Sequence, residues 1–139
     1  MVDRKRLFAL IERIREETVH LRRLGALSDI ELEADPERLA GAKYRFVVAI
    51  EACIDAARHV IASEGLRYPA DYFQAFEVIA EAGFLPKEQL PSLKAMVGFR
   101  NLLVHVYAKV EDEKVVEILR QHLGDFDSFR EAIAEAIHA

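Results

Sequence analysis

The segment from Pro36 to Glu64 constrains this chain more than any other. It opens on Asp35-Pro36, a helix-capping residue followed by proline at the first helical position, and it closes at Gly65, a residue type that ends helices. Between these limits Leu39, Phe46, Val47, Ile50, Ile54, Ala57, Val60 and Ile61 recur at helical spacing and supply an inner face. Phe46-Val47-Val48-Ala49-Ile50 is apolar almost all round, which requires burial on more than one side. A chain that contains such a helix has to cover it with other helices, and a second subunit can cover part of it too. The run Phe46–Ile50 is therefore the expected place for half of a subunit interface.

The rest of the sequence supplies the covering helices. Leu7, Leu10, Ile11, Ile14, Leu21 and Leu24 form one stripe over residues 3–24, with Gly25 as the stop. Residues 26–35 lack a sustained helical period and read as a connection. After the turn Arg67-Tyr68-Pro69, a shorter helix over 70–82 carries Tyr72, Phe73, Phe76, Ile79 and Ala80 and stops at Gly83. A fourth helix starts near Phe84-Leu85-Pro86, or at Pro91, and runs through Leu93, Met96, Val97, Leu103 and Val104. Val115, Val116, Ile118, Leu119 and Leu123 make a fifth up to Gly124. Asp125 or Asp127 caps a last helix with Phe126, Phe129, Ile133 and Ile137. With six glycines, four prolines and no strand-like alternation, the expectation is an all-α, up-and-down bundle of five or six helices in a single domain over residues 1–139.

Charge narrows the partners. The net charge of -5 argues against an extended duplex-binding surface, which needs a basic stripe, but leaves room for a few arginines that touch phosphates. Arg4, Lys5, Arg6, Arg13, Arg15, Arg22 and Arg23 make the first helix the most basic region, an edge suited to guide a phosphate chain, with His20 beside them. Cys53 is the only cysteine, so an internal disulfide is excluded and a thiolate zinc cluster is not expected. The N-terminus is charged where a secretory signal would be apolar, and no apolar run approaches the ~20 residues of a membrane span; the expected location is the cytoplasm.

The fourth helix holds the chemistry. Met96-Val97-Gly98-Phe99-Arg100-Asn101-Leu102-Leu103-Val104-His105-Val106-Tyr107 is a core segment that nevertheless carries an arginine, an asparagine, a histidine and a tyrosine. On a helix Arg100 and Tyr107 share a stripe to within ~20°, whereas Arg100 and His105 are ~140° apart. Those two can serve one site if the arginine stem reaches round, if the helix is distorted near Gly98, or if two copies of the helix line one cleft. Asn101 and His105 are neighbours at four apart, which lets the amide orient the imidazole. An imidazole that exchanges a proton near neutral pH, with a guanidinium that grips phosphate oxygens in a fork, suits phosphodiester chemistry. RNA carries its own nucleophile in the 2′-hydroxyl, so such a site needs no metal. By spacing alone a satisfied structural Arg–His pair is the commoner arrangement, and the residues reach no further than a polar site on a core helix.

The octapeptide Arg100-Asn101-Leu102-Leu103-Val104-His105-Val106-Tyr107 resembles the Arg-(any four)-His-any-Tyr signature of HEPN-domain proteins of the HepT-like toxin group. Tyr44–Ile61 is similar to that family's second-helix pattern, Gly65–Pro69 with Asp71-Tyr72-Phe73 to the turn and helix that follow, and Met96–Asn101 to the lead-in to the motif. The resemblance implies an all-α homodimer whose two motifs face one cleft. It also implies a metal-independent endoribonuclease with no cofactor, the toxin of a toxin–antitoxin pair whose antitoxin is a minimal nucleotidyltransferase of the MNT type. That partner would silence the toxin by attaching AMP to a tyrosine of the motif. Carried over to this chain, His105 is the acid/base, Arg100 the phosphate clamp, Asn101 a residue that orients or contacts substrate, and Tyr107 the modifiable tyrosine. Asp55 matches the polar position of the second helix and is expected to pair with Arg100 or His105. The competing expectation is a non-catalytic, nucleotide-binding helical partner of a minimal nucleotidyltransferase.

Overall fold

A computed structural model describes residues 3–105 and 110–138, and among these the regular structure is entirely helical. The chain runs α1 (Arg4–Gly25), α2 (Asp29–Ala34), α3 (Pro36–Glu64), α4 (Tyr72–Glu81), a 3-10 turn (Lys87–Gln89), α5 (Leu90–His105), α6 (Asp112–Gln121) and α7 (Gly124–His138). No helix among the described residues is long and apolar enough to cross a membrane.

The all-α expectation holds, with one helix more than the count read from periodicity. The segment read as a connection contains α2, a single amphipathic turn and a half with Leu32 buried. Its signal is local: the Ser28 side chain accepts from Glu31 N while the Glu31 carboxylate accepts from Ser28 N, a reciprocal capping box. These bonds hold the Glu31 carboxyl below the usual carboxylate range. The α3 limits agree with the sequence reading: the Asp35 side chain caps Glu37 N, and Gly65 ends the helix with φ 63°. Pro91 lies in the first turn of α5, where its missing N–H leaves no helical bond unmade.

Helix α3 is the axis of the bundle, packed by α1 along much of its length and by α2, α4, α5 and α6. Ala42, Ala49, Ala52, Cys53, Ala56 and Ala57 are all buried on it, and small side chains let its neighbours come close. Burial pushes the Cys53 thiol far up from its ordinary pKa, so it is a packing residue without thiolate character. The apolar run Phe46–Ile50 divides: Phe46, Ala49 and Ile50 are used by this chain's own core, whereas Val47 and Val48 are half-buried. Phe46 stands at the joint of three helices, edge-on to Phe99 of α5 at 5.3 Å and stacked with Phe126 of α7 at 6.4 Å between centroids.

Helix α1 is fastened to α3 by a buried charge. Glu17 is 5% exposed and lies 3.2 Å from Arg45 of α3 and 3.5 Å from Arg13 of its own helix. The α1 arginines are in part consumed inside the chain as well. Arg15 pairs with Glu12, and Arg22 with Asp127 of α7, which removes charge from the edge that the sequence offered as an RNA guide.

At its C-terminal end α1 meets α6 backbone to backbone. A Cβ on Gly25 would lie 2.7 Å from the Leu119 carbonyl oxygen, so α6 sits where only glycine allows it. Gly25→Ala is expected to force the two helices apart and to lower the unfolding free energy by about 1–3 kcal/mol in urea titrations. An unchanged midpoint and slope would show that α6 can shift without cost.

Candidate active site

Helix α5 turns Met96, Phe99 and Leu103 into the core, and this rotation sorts the polar residues of the motif. Arg100 falls at the inner rim. Its side chain is 12% exposed, and its guanidinium spans the gap to α3, donating from Nε (3.3 Å) and Nη2 (3.0 Å) to one carboxylate oxygen of Glu51. Nη1 donates to Asn101 Oδ1 at 3.0 Å, and the Tyr72 ring of α4 lies under the guanidinium carbon at 5.0 Å. Three of the five N–H donors of the fork are thus used, and two remain for a ligand.

His105 faces the other way. It is exposed at the end of α5 and, among the described residues, makes no hydrogen bond or ion pair. The helix is continuous from Leu90 to His105, so no distortion brings it round to Arg100. Gly98 does not mark a close approach among the described residues either, since the space beside it is open. Around it, Leu102 is 50% and Val104 43% exposed, so Val104 leaves the core stripe in which periodicity had placed it.

Two expectations about partners change. The carboxylate that pairs with Arg100 is Glu51, one helical turn before Asp55; Asp55 is exposed and makes no hydrogen bond or ion pair among the described residues. Both lie on one stripe of α3, and helical period cannot say which of two such carboxylates is level with a residue on another helix. Asn101 engages the guanidinium and not the imidazole of His105. Tyr107 lies outside the described residues. Tyr72, the aromatic floor under Arg100, was legible only as an apolar position of α4.

A family model described as Ribonuclease HepT-like matches residues 11–133. The chain is similar to the mRNA nuclease HepT of Shewanella oneidensis, 35% identical over 83 residues, which is 60% of this chain and 62% of that relative. The stretch of similarity thus spans less than two-thirds of the relative's length. Its fold superposes on the tri-AMPylated Shewanella oneidensis HEPN toxin solved in complex with an MNT antitoxin, with TM-score 0.85 and 25% identity over 97% of this chain and 99% of that one. It superposes also on a toxin–antitoxin crystal structure with AMP-PNP, with TM-score 0.82 and 25% identity over 96% and 98% of the two chains.

Glu51 stands half open to solvent while Arg100 is largely buried, and a pair with one solvated member contributes little to stability. Glu51→Gln is expected to change the unfolding free energy by less than about 1 kcal/mol. Phe99→Ala, on the buried side of the same helix, is expected to cost about 3–5 kcal/mol. A Glu51 variant that unfolds as readily as the Phe99 variant would make the pair a structural strut and not a site.

Proposed function

The chain belongs to the HepT-like ribonuclease family, and on that premise we propose that it is a metal-independent endoribonuclease, the toxin of a toxin–antitoxin pair, acting as a homodimer. The observation that carries the reading is the placement of Arg100 and His105 on opposite sides of one regular helix. A single copy of α5 presents the guanidinium inward and the imidazole outward, so the two act on one phosphodiester most directly when two copies face each other. Exposed Leu102 and Val104 and the open space beside Gly98 supply apolar surface around His105 for such a contact.

In that cleft, His105 takes the proton of the 2′-hydroxyl while the 2′-oxygen attacks the adjacent phosphorus. The bond from phosphorus to the leaving oxygen breaks, and an imidazolium returns a proton to that oxygen, leaving a cyclic phosphate. Arg100 holds the non-bridging oxygens and stabilises their growing charge. Asn101 and Tyr72 keep its fork oriented, and Asp55 faces the substrate side. A nucleotidyltransferase partner of the MNT type would place AMP on Tyr107, as the AMPylated state of the Shewanella toxin in its antitoxin complex supports.

His105→Ala and Arg100→Ala should each keep the helical circular dichroism and dimer mass while losing cleavage of single-stranded RNA by roughly 100-fold or more. If Arg100 of one copy works with His105 of the other, a mixed dimer of the two variants retains one intact pair and recovers measurable cleavage. No recovery in a verified mixed dimer would place both residues in the same subunit's site. Full activity in His105→Ala would end the ribonuclease reading. Nucleotide binding that depends on Arg100, without RNA turnover, would replace it by the non-catalytic partner.

The modification has its own readout. Co-expression with the nucleotidyltransferase should add AMP-sized increments to the intact mass of the unaltered chain and none to Tyr107→Phe. Increments that persist in the variant would move the acceptor elsewhere.

A further inference from the structure

A groove of about 810 Å³ lies beside Arg100, between the second half of α3, the connection after Gly65, the start of α4 and Arg6 of α1. It is within the size range of ligand sites, and Tyr72 joins it to the motif: that residue lines the groove and also lies under the Arg100 guanidinium.

Three observations bear on what the groove takes. Arg6 and Arg58 line it and, among the described residues, their side chains make no hydrogen bond or ion pair; Arg13, Arg15, Arg22, Arg45, Arg67, Arg120 and Arg130 are matched with carboxylates, and Arg4 and Arg23, also unmatched, do not line the groove. Tyr68, also on the wall, is 88% exposed, a large ring left in water beside a second ring, Tyr72, at 38%. Asp55 and Asp71 line the groove as well; Asp71 is occupied in capping Gln74 N, and Asp55 is unengaged. Two carboxylates against two arginines disfavour a simple anion. A ligand that alternates phosphates, hydroxyl and amino donors, and flat rings suits all three kinds of group.

The geometry points to this groove as the seat of the nucleotides next to the scissile phosphate in single-stranded RNA. Arg58 and Arg6 meet phosphates, Tyr68 and Tyr72 stack bases, and the Asp55 carboxylate accepts from a base amino group or a 2′-hydroxyl. A paired duplex would keep its bases from the two rings, and the net charge of -5 offers no basic stripe to follow a duplex. This assignment rests on the ribonuclease reading, which supplies the phosphate at Arg100.

The test uses full-length His105→Ala protein, which binds without cutting, and a labelled single-stranded oligoribonucleotide followed by fluorescence anisotropy. Tyr68→Ala and Arg58→Ala, both at exposed positions, should each weaken binding by roughly five- to tenfold. Arg58→Ala should also flatten the slope of log affinity against log salt by about 0.7, the share of one phosphate contact to a single strand. The same sequence as a duplex should bind more weakly. Unchanged affinity in both variants, while Arg100→Ala weakens binding, would show that the strand leaves the motif by another route and overturn the assignment. Variants that bind RNA normally but lose the nucleotidyltransferase would overturn it too, in favour of a protein-docking face. Cleavage by His105-intact protein is measured in parallel. If that protein cuts no RNA but the groove variants still weaken binding, the groove stands and the ribonuclease reading alone falls.

Discussion

How closely other helices can approach α3 decides nearly everything else in this fold. On α3 the buried alanines and Cys53 leave room for neighbours to come close between the larger Leu39, Ile50, Ile54, Val60 and Ile61. Phe46, the aromatic ring buried on α3, locks the arrangement. It meets Phe99 and Phe126, so the rotation of α5 about its own axis is set from α3. That rotation sends Phe99 inward, and Arg100, the next residue, reaches the Glu51 carboxylate on α3.

The guanidinium is held on three sides before any ligand arrives: by Glu51, by Asn101 and by the Tyr72 ring. Such anchoring restricts a long, flexible side chain to one orientation, which is what charge stabilisation in a transition state requires. Glu51 is partly solvated, so its grip on the arginine is weak enough for a phosphate to compete. Among the described residues the imidazole of His105 has no comparable support. On the proposed reading, an anchored guanidinium and an imidazole on opposite sides of one helix are what a site completed by a second copy would show.

Charge looks different once the ion pairs are known. Counting residues marks α1 as the basic region, but several of its arginines are spent on Glu12, Glu17 and Asp127. Among the described residues, Arg58 on α3 and Arg6 at the start of α1 are cations without a carboxylate partner on the wall of the groove that Tyr72 joins to Arg100. Surface charge that is matched in place organises the helices; only what remains unmatched is available to a ligand.

By itself the sequence determined the helices and the chemistry at hand. Capping residues and apolar period are local properties, so the limits of α3 and the arginine–histidine motif could be read directly, and even α2 had its signal in Ser28 and Glu31. The 140° between Arg100 and His105 follows from helix geometry alone, and the continuous α5 keeps it. Only the tertiary structure decided which partners meet across helices. Glu51 and Asp55 share one stripe and differ by a single turn, and whether one or the other lies level with Arg100 depends on how α5 slides and turns against α3. The place of Tyr72 under the guanidinium, and the joining of Arg6, Arg58 and Tyr68 in one groove, arise in the same way. They are contacts between segments far apart in the chain, set by packing, and no spacing within a segment records them.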